Sequence, residues 1–409
     1  MEKIHSKIVE EKKKIKVLRI INRFNIGGPT YNAAYLTKYL GDNFETLLVG
    51  GVKYEEEESS EFIVTQLGLT PIVIPEMQRS INFKEDKKAY RKLVELIKEF
   101  KPDIVHTHAS KAGTLGRLAA AKCNVPVIVH TFHGHVFHSY FGKAKTLFYK
   151  TIERWLAKKS TKIIAISDIQ KEELWKEHKI CKADKLAVVP LGFDLDRFQK
   201  NITEKRTSFR EKYQIKEDEI AIGIIGRLVP IKNHQLFINA IKEVHNKTTK
   251  KIRVFIIGDG ECKEQLIELL KRIELDGVEW SKNPKPATVV FTSWIKEVDW
   301  ANAGLDIIAL SSLNEGTPVS LIEAQAANKP IVTTNVGGVE NIVLKNETAF
   351  VTNSDNLNEF SEALLKLVND DELRGEMGAK GWSFVKKEFH YMRLVNDMKN
   401  LYLTLLNNK

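Results

Sequence analysis

The chain has 409 residues, 43% hydrophobic and 28% charged, ordinary values for a globular protein of two or three domains. Cys123, Cys181 and Cys262 are scattered without metal-ligand spacing, which excludes a disulfide framework and points to a reducing compartment. No run approaches the roughly 20 apolar residues of a transmembrane helix, and the first residues lack the apolar core of a secretion signal, so a cytoplasmic location is expected.

The net charge of +10 is unevenly placed. Residues 1–192 carry 33 Lys and Arg against 22 Asp and Glu, whereas residues 193–409 carry 30 against 31. A basic half suits nucleic acid, an anionic membrane face or a phosphorylated substrate. No nucleic-acid-binding motif accompanies it, so a lipid or phosphate partner ranks above nucleic acid.

After a Lys/Glu-rich start, Ile15–Ile21 reads as a buried parallel strand. It feeds the loop Asn22–Thr30, with Gly27-Gly28, and a helix through Leu40. This strand, Gly-rich loop and helix open a Rossmann-like unit, but a third glycine and a ribose-binding acid are missing from the dinucleotide fingerprint. Strands at 45–49, 70–74, 103–108, 127–131 and 162–166 alternate with helices at 84–100, 113–122 and 146–159. That alternation predicts a doubly wound parallel sheet. A short strand at 187–189 ends at the hinge Pro190-Leu-Gly-Phe-Asp194. A second series then runs through strands at 220–227, 253–260, 288–293, 305–310 and 330–335, with helices near 235–245 and 319–327. Residues 382–406 read as a terminal amphipathic helix or pair. The expected division is an N-terminal domain over 1–192, completed by about 390–409 crossing back, and a C-terminal domain over 193–389.

The stretch Ser312–Ala324 carries the most chemistry. Glu315 stands in a loop at a strand's carboxyl end, and Glu323 lies one to two turns into the following helix. Pro318 suits that helix's first turn and Thr317 can cap it. Free N–H groups at a helix start attract phosphate. Two carboxylates and such an end suit a ligand bearing hydroxyls and phosphates, as a sugar nucleotide does; the plainer alternative is an exposed Glu on an ordinary helix. Arg227 and Lys232, in the loop after the second domain's first strand, can meet a diphosphate by a forked contact and a point charge. Taken alone, such a pair is a solvated loop; its place at the carboxyl end of a parallel strand favours a ligand.

His106, His108, His130, His133, His135 and His138 crowd two successive strand ends. Their spacings of two and three on extended chain are not those of a helical zinc pair, so a polar site wall with one or two core histidines is preferred. Asp194 and Asp196 resemble a paired-carboxylate metal motif, yet their place after a hinge favours helix capping. On Phe137–Lys159, aromatic residues mix with five lysines, and Phe148, Ile152, Trp155 and Leu156 are expected on one face. A core-facing helix with a basic outer face competes there with an interfacial membrane helix.

Together these residues resemble glycosyltransferase family 4, the retaining, nucleotide-sugar-dependent enzymes of the GT-B fold. The resemblance spans nearly the whole chain: Gly27-Gly28, His133-Gly134, Val189–Gly192, Gly226-Arg227 with Lys232, Gly258-Asp-Gly260, and Glu315-x7-Glu323 followed by Ala324. It implies an α/β chain with two Rossmann-like domains facing across a cleft, and a hexosyltransferase building bacterial polysaccharide, O-antigen or capsule. The implied donor is a nucleotide sugar, UDP-linked first, and the implied acceptor a glycan or a polyprenyl-phosphate-linked glycan. The resemblance further implies peripheral contact with an anionic inner membrane, at its cytoplasmic face.

By motif position, Arg227 and Lys232 would neutralise the donor diphosphate with no metal and no cofactor. Glu315 would contact sugar hydroxyls, with Gly316, Thr317, Pro318 and Leu321 around the sugar and phosphates, and Glu323 would hold the ribose. Gly28 and Gly258 would approach the donor, Ile295 would lie near the base, and His133 would line the reaction centre. His108, Lys111, Arg117 and His135 would form the acceptor side. The implied catalytic set is His133, Glu315, Arg227 and Lys232. One departure is Val278–Ala287, longer and more polar than the family leads one to expect. A non-catalytic sugar-nucleotide or lipid-phosphate binding module, and an epimerase or hydrolase on the same scaffold, remain as alternatives.

Overall fold

The computed structural model describes residues 13–24, 28–52, 61–78, 82–133 and 143–408. The chain forms two compact units, one of residues 1–193 and 391–409, the other of residues 194–390.

In the first unit the chain runs β1 (Ile15–Arg23), α1 (Gly28–Lys38), β2 (Phe44–Gly51), α2 (Glu61–Gln66), β3 (Ile72–Val73), α3 (Phe83–Phe100), β4 (Ile104–His108), α4 (Ser110–Lys122), β5 (Val127–Thr131), α5 (Lys143–Lys159), β6 (Lys162–Ala165), α6 (Asp168–Glu172) and β7 (Leu186–Val188). A π turn, Glu173–Glu177, extends α6. The parallel sheet has the order β3-β2-β1-β4-β5-β6-β7. Its central strands are Val- and Ile-rich and buried on both faces, as a sheet covered by helices on both sides requires. Leu18, Ile20 and Val105 pack beneath α3 and α4, while Val17, Ile104 and Val129 pack on the opposite face with Leu36, Leu394 and Met398. Each such fully buried aliphatic side chain contributes roughly 1.5–3 kcal/mol.

The second unit holds α7 (Ile202–Lys212), β8 (Glu219–Ile225), α8 (His234–Lys247), β9 (Lys251–Ile257), α9 (Lys263–Arg272), β10 (Gly277–Glu279), β11 (Val289–Ser293), α10 (Val298–Gly304), β12 (Ile307–Leu310), α11 (Val319–Ala326), β13 (Ile331–Thr334), β14 (Ala349–Thr352), α12 (Leu357–Asn369) and α13 (Asp371–Phe389). Its parallel sheet has the order β10-β11-β9-β8-β12-β13-β14. In both sheets the order reverses between two central strands, β1/β4 and β8/β12. Crevices for ligands open at the carboxyl ends of such strands. The polar stretch after Val278 begins as the edge strand β10, which pairs in parallel with β11.

The terminal amphipathic stretch is two helices, α13 and α14 (Tyr391–Asn407), broken at His390 with ψ 139°. The last helix packs in the first unit. Tyr391 lies against Tyr35 and Tyr39, and Arg393 donates to the carbonyls of Pro190 and Leu191. Asp196 opens a short 3-10 turn, Asp196–Phe198, which no side chain caps, so the capping expected of Asp194 and Asp196 is absent. No described helix is long and apolar enough to cross a membrane.

Candidate active site

The loops after β8 and β12 are joined by side chains. Lys232 Nζ lies 2.5 Å from Glu315 Oε1, and Ser312 Oγ donates to the same oxygen at 2.6 Å. Ser311 Oγ donates to the carbonyls of Lys232 and Asn233, and Leu313 N donates to Ile231 O at 2.8 Å. The ion pair is therefore fixed by backbone on both sides. An ammonium has three protons, so Lys232 can hold Glu315 and still offer N–H to an anion. Arg227 is exposed in the same loop and makes no ion pair among the described residues.

A third loop buttresses this pair. Gly338 N donates to Glu315 O at 3.1 Å. Gly337 has φ +52°, and a Cβ there would lie 1.8 Å from Glu315 O; one at Gly338 would lie 1.9 Å from Gly316 O. Only glycine allows this approach. The Gly-Gly pair shortly after the strand 331–334 was its sequence signal, and sequence reasoning passed over it, along with the role of Ser312.

The start of α11 differs from expectation. The helix begins at Val319, Pro318 is its N-cap residue, and no side chain caps it. Thr317 therefore lies outside the helix and its capping role is corrected: with Pro318 extended at ψ 98°, the helix starts one residue later. This leaves the first N–H groups of α11 without a side-chain acceptor. Val319, Ser320 and Glu323 are its partly exposed residues, whereas Leu321 and Ile322 are buried. Burial pushes the Glu323 carboxyl up to about 7; the Arg197 cation opposes the rise and the Asp299 carboxylate adds to it.

Gly258 closes the neighbouring loop: with φ +144°, a Cβ there would meet Gly226 O at 1.9 Å. Asp259 accepts from Gly260 N and from Ser293 Oγ, both at 2.8 Å, and lies 3.5 Å from Lys263 Nζ. Burial works to raise its pKa, but these partners outweigh it and the carboxyl is lowered. Ile295 follows, half-buried, beside the exposed Trp294.

In the first unit, imidazoles gather at the ends of β4 and β5. His108 Nδ1 and His133 Nε2 lie 2.9 Å apart, and their outer nitrogens, His108 Nε2 and His133 Nδ1, are buried without a partner. Behind them the His106 ring is 4.1 Å from that of His108. His106 is bonded on both nitrogens, to Tyr402 Oη at 2.6 Å and Thr131 Oγ1 at 2.7 Å. The fully buried Arg19 donates to Thr37 Oγ1 and to Tyr402 Oη. Since the Tyr402 oxygen accepts from Arg19, its own proton points to His106 Nδ1, leaving the His106 proton on Nε2 for Thr131. Burial holds His106, His108 and His130 well below the ordinary imidazole range, and His133 at about 4. The wall is neutral at physiological pH. His130 is a core histidine, bonded to Thr107 Oγ1. The Arg19–Tyr402 vein was missed in sequence because its members lie 383 residues apart.

The acceptor-side set is only partly brought together. Arg117 is corrected: it is wholly buried, 2.7 Å from Glu153 Oε2, and its Nε donates to Gly113 O, so it presents no charge to an acceptor phosphate. Lys111 is paired with Asp86 at 2.5 Å and ties α4 to α3. Gly28 is the first residue of α1. His135 and His138, with Gly27 and Gly134, lie outside the described residues. No group of three or more potential ligands among the described residues could hold a metal ion.

Two parallel seven-stranded sheets, each reversing order between two central strands, are the architecture of the GT-B fold of glycosyltransferases. A family profile described as "Glycosyl transferases group 1" matches residues 205–383, and one described as "Glycosyltransferase Family 4" matches residues 26–197. The UDP-Gal:alpha-D-GlcNAc-diphosphoundecaprenol alpha-1,3-galactosyltransferase of Escherichia coli is 32% identical over 346 residues, 82% of this chain and 84% of that protein. The capsular polysaccharide biosynthesis glycosyltransferase CapM of Staphylococcus aureus is 27% identical over 339 residues, 82% and 85% of the two chains. Among solved structures, a glycosyltransferase from Rickettsia africae ESF-5 matches with TM-score 0.77 at 19% identity, over 97% of this chain and 100% of that one. Anabaena Alr3699/HepE in complex with UDP matches with TM-score 0.76 at 16% identity, over 95% and 100%. The chain belongs to glycosyltransferase family 4 and is an enzyme of the hexosyltransferase type.

Proposed function

We propose that this enzyme moves a hexose from a UDP-sugar to a lipid-linked glycan acceptor of the polyprenyl-diphosphate kind, with retention at the anomeric carbon, in bacterial surface-glycan assembly. The observation that carries the reading is the Lys232–Glu315 pair, held by Ser312 across the switch point of the second sheet. The names of the Escherichia coli relative and of the Anabaena complex supply the chemistry of acceptor and nucleotide.

In this reading Arg227 and Lys232 hold the diphosphate beside the uncapped start of α11, and metal is not required. Glu315 positions sugar hydroxyls, with Gly316, Thr317, Pro318 and Leu321 around them. Glu323 holds the ribose hydroxyls, while Gly258 and Ile295 shape the base side. His133 and His108, both neutral, meet sugar or acceptor hydroxyls without competing for a proton. Glu315 already accepts from Lys232 and Ser312, which suits positioning rather than proton abstraction. The departing phosphate then deprotonates the acceptor as the new bond forms on the same face. With such an acceptor the enzyme works at the cytoplasmic face of a membrane.

A donor screen by mass spectrometry, with polyprenyl-diphosphate-linked sugars as acceptors, tests this. Transfer from a UDP-sugar, undiminished by EDTA and giving an α-linked product from an α-donor, is the expected result. Binding of UDP-sugars without turnover would instead leave a binding module, and turnover lost with EDTA would overturn the metal-free reading.

A further inference from the structure

Beside the Gly258 loop, the second sheet holds a strained residue. At the end of β11, Ser293 has φ +59°. Lys101, Gln214 and Glu274 share this left-handed backbone just past helices, where it is an ordinary way to end one. Ser293 takes it at the end of a strand, where a residue with a Cβ has no such reason. The pairing of β11 with β9 slips there: Phe291 faces Ile256, and Ser293, two residues on, faces Ile257. The chain therefore bulges, and a bulge beside a site re-aims the residues that follow it.

The bulge is tied down from several sides. Ser293 Oγ donates to Asp259 Oδ2 at 2.8 Å, and the Ser293 carbonyl accepts from Gly258 N at 3.1 Å and from Thr292 Oγ1 at 2.9 Å. Asp259 is itself anchored, because its other oxygen accepts from Gly260 N and its backbone carbonyl accepts from Leu228 N at 2.9 Å. Lys263 Nζ lies 3.5 Å from Asp259 and 3.0 Å from Glu279, and Lys282 Nζ lies 2.8 Å from the other Glu279 oxygen. The side chains of Lys263 and Glu279 are only 16% and 14% exposed. The polar stretch after Val278 thus supplies, through Glu279, the far end of a charge chain that reaches Ser293.

Glycine would adopt this φ freely but leave the bulge untethered; serine accepts the strain and gains the bond to Asp259. What the tether delivers is the segment that follows. The Ile295 backbone N–H and carbonyl make no hydrogen bond among the described residues, and the Trp294 side chain before them is 56% exposed. An unpaired peptide donor and acceptor on one residue can pair with a nucleobase edge, which offers an acceptor and a donor together. We infer that Ser293, tethered by Asp259, is a positioning residue that aims the Ile295 backbone at the nucleobase of the donor, and so sets which base the enzyme accepts. This role rests on the proposed reading in which Gly258 and Ile295 shape the base side.

The test is titration calorimetry of the full chain with UDP and with ADP. Wild type should bind UDP about tenfold or more tightly than ADP. Ser293→Val, whose branched side chain resists left-handed backbone, should weaken UDP about tenfold but ADP about threefold or less, so that the preference collapses. Ser293→Gly keeps the backbone accessible and should hold the preference within about threefold. Asp259→Ala should weaken UDP about tenfold on its own, and only about threefold when added to Ser293→Gly, where no tether remains to be lost. If Ser293→Val does not fold, this pair of Asp259 measurements decides. Equal loss of UDP and ADP in Ser293→Val, or the same cost of Asp259→Ala with serine and with glycine at 293, would overturn the inference and leave the donor reading intact. A wild type that does not distinguish the two bases would overturn it as well. UDP binding left unchanged by Lys232→Ala would instead count against the donor reading.

Discussion

Arg19 in the first unit and Lys232 in the second both belong beside the central strands of their sheets, and their surroundings are opposites. Lys232 is partly exposed and neutralised by Glu315. Arg19 is sealed in, and among the described residues only the hydroxyls of Thr37 and Tyr402 meet it; no carboxylate does. Beside a buried cation a protonated imidazole is penalised twice, by burial and by repulsion, and both causes depress His106 and His108. The second unit thus presents paired charge at the ends of its central strands. The first offers imidazoles whose hydrogen bonds do not change with pH near neutrality. The same strand order supports either solution, because the sheet fixes where loops converge and not what they carry.

The contrast can be broken most severely where a charge is buried with one partner. Glu153→Leu leaves Arg117 uncompensated in the first unit and should cost about 3–5 kcal/mol. Glu153→Leu/Arg117→Met should recover most of this in denaturant titrations, and no recovery would mean the pair matters for more than charge. Tyr402→Phe keeps the ring but removes the hydroxyl between Arg19 and His106, at about 1–3 kcal/mol. Nitrogen-15 shifts should then show the His106 proton no longer fixed on Nε2; an unchanged tautomer would disprove the relay. In the second unit, Lys232→Ala and Glu315→Ala should each lower transfer at least tenfold, about 1.4 kcal/mol of transition-state stabilisation. Near-wild-type rates in either would misplace the donor site.

The smallest effects are in pH, and their signs differ between the units. His133, at about 4 when folded against 6.5 unfolded, contributes stability that is present above pH 6.5 and lost as pH falls toward 4. His106, His108 and His130 act in the same direction. Hydrogen exchange in β4 and β5 should therefore quicken on acidification. Glu323 is raised from 4.5 to about 7, so its contribution is present below pH 4.5 and lost as pH rises through 7. Glu323→Gln should flatten that part of a melting-temperature profile for the second unit; a parallel profile would show that the carboxyl ionises freely.

Apolar strands with Gly-rich exits were legible in the sequence because burial on both faces demands uninterrupted Val and Ile, as at Val127–Val129 and Ile307–Ile308. In the second unit Lys232 and Glu315 were legible as charged residues in loops at strand ends, and they meet because the strands they follow, β8 and β12, are neighbours in one sheet. What stayed hidden depends on distance along the chain or on facing direction. Arg117 carries the charge a phosphate needs, and only the fold shows it turned onto Glu153. Thr317 is a sound capping residue by type, displaced when Pro318 took the N-cap position. The Gly337-Gly338 pair matters through the carbonyls of Glu315 and Gly316, which no local pattern reveals.

The return of α14 to the first sheet sets an order of events during synthesis. Residues 194–390 are contiguous, so the second unit can close as soon as they have left the ribosome. Arg19, by contrast, waits for a tyrosine made 383 residues later. Until then a guanidinium and the apolar seat of Leu394 and Met398 stand open on an otherwise finished sheet. The N-terminal half is the first to be made and the last to be sealed, so nascent chains stalled before Tyr402 are the ones a chaperone or protease would find.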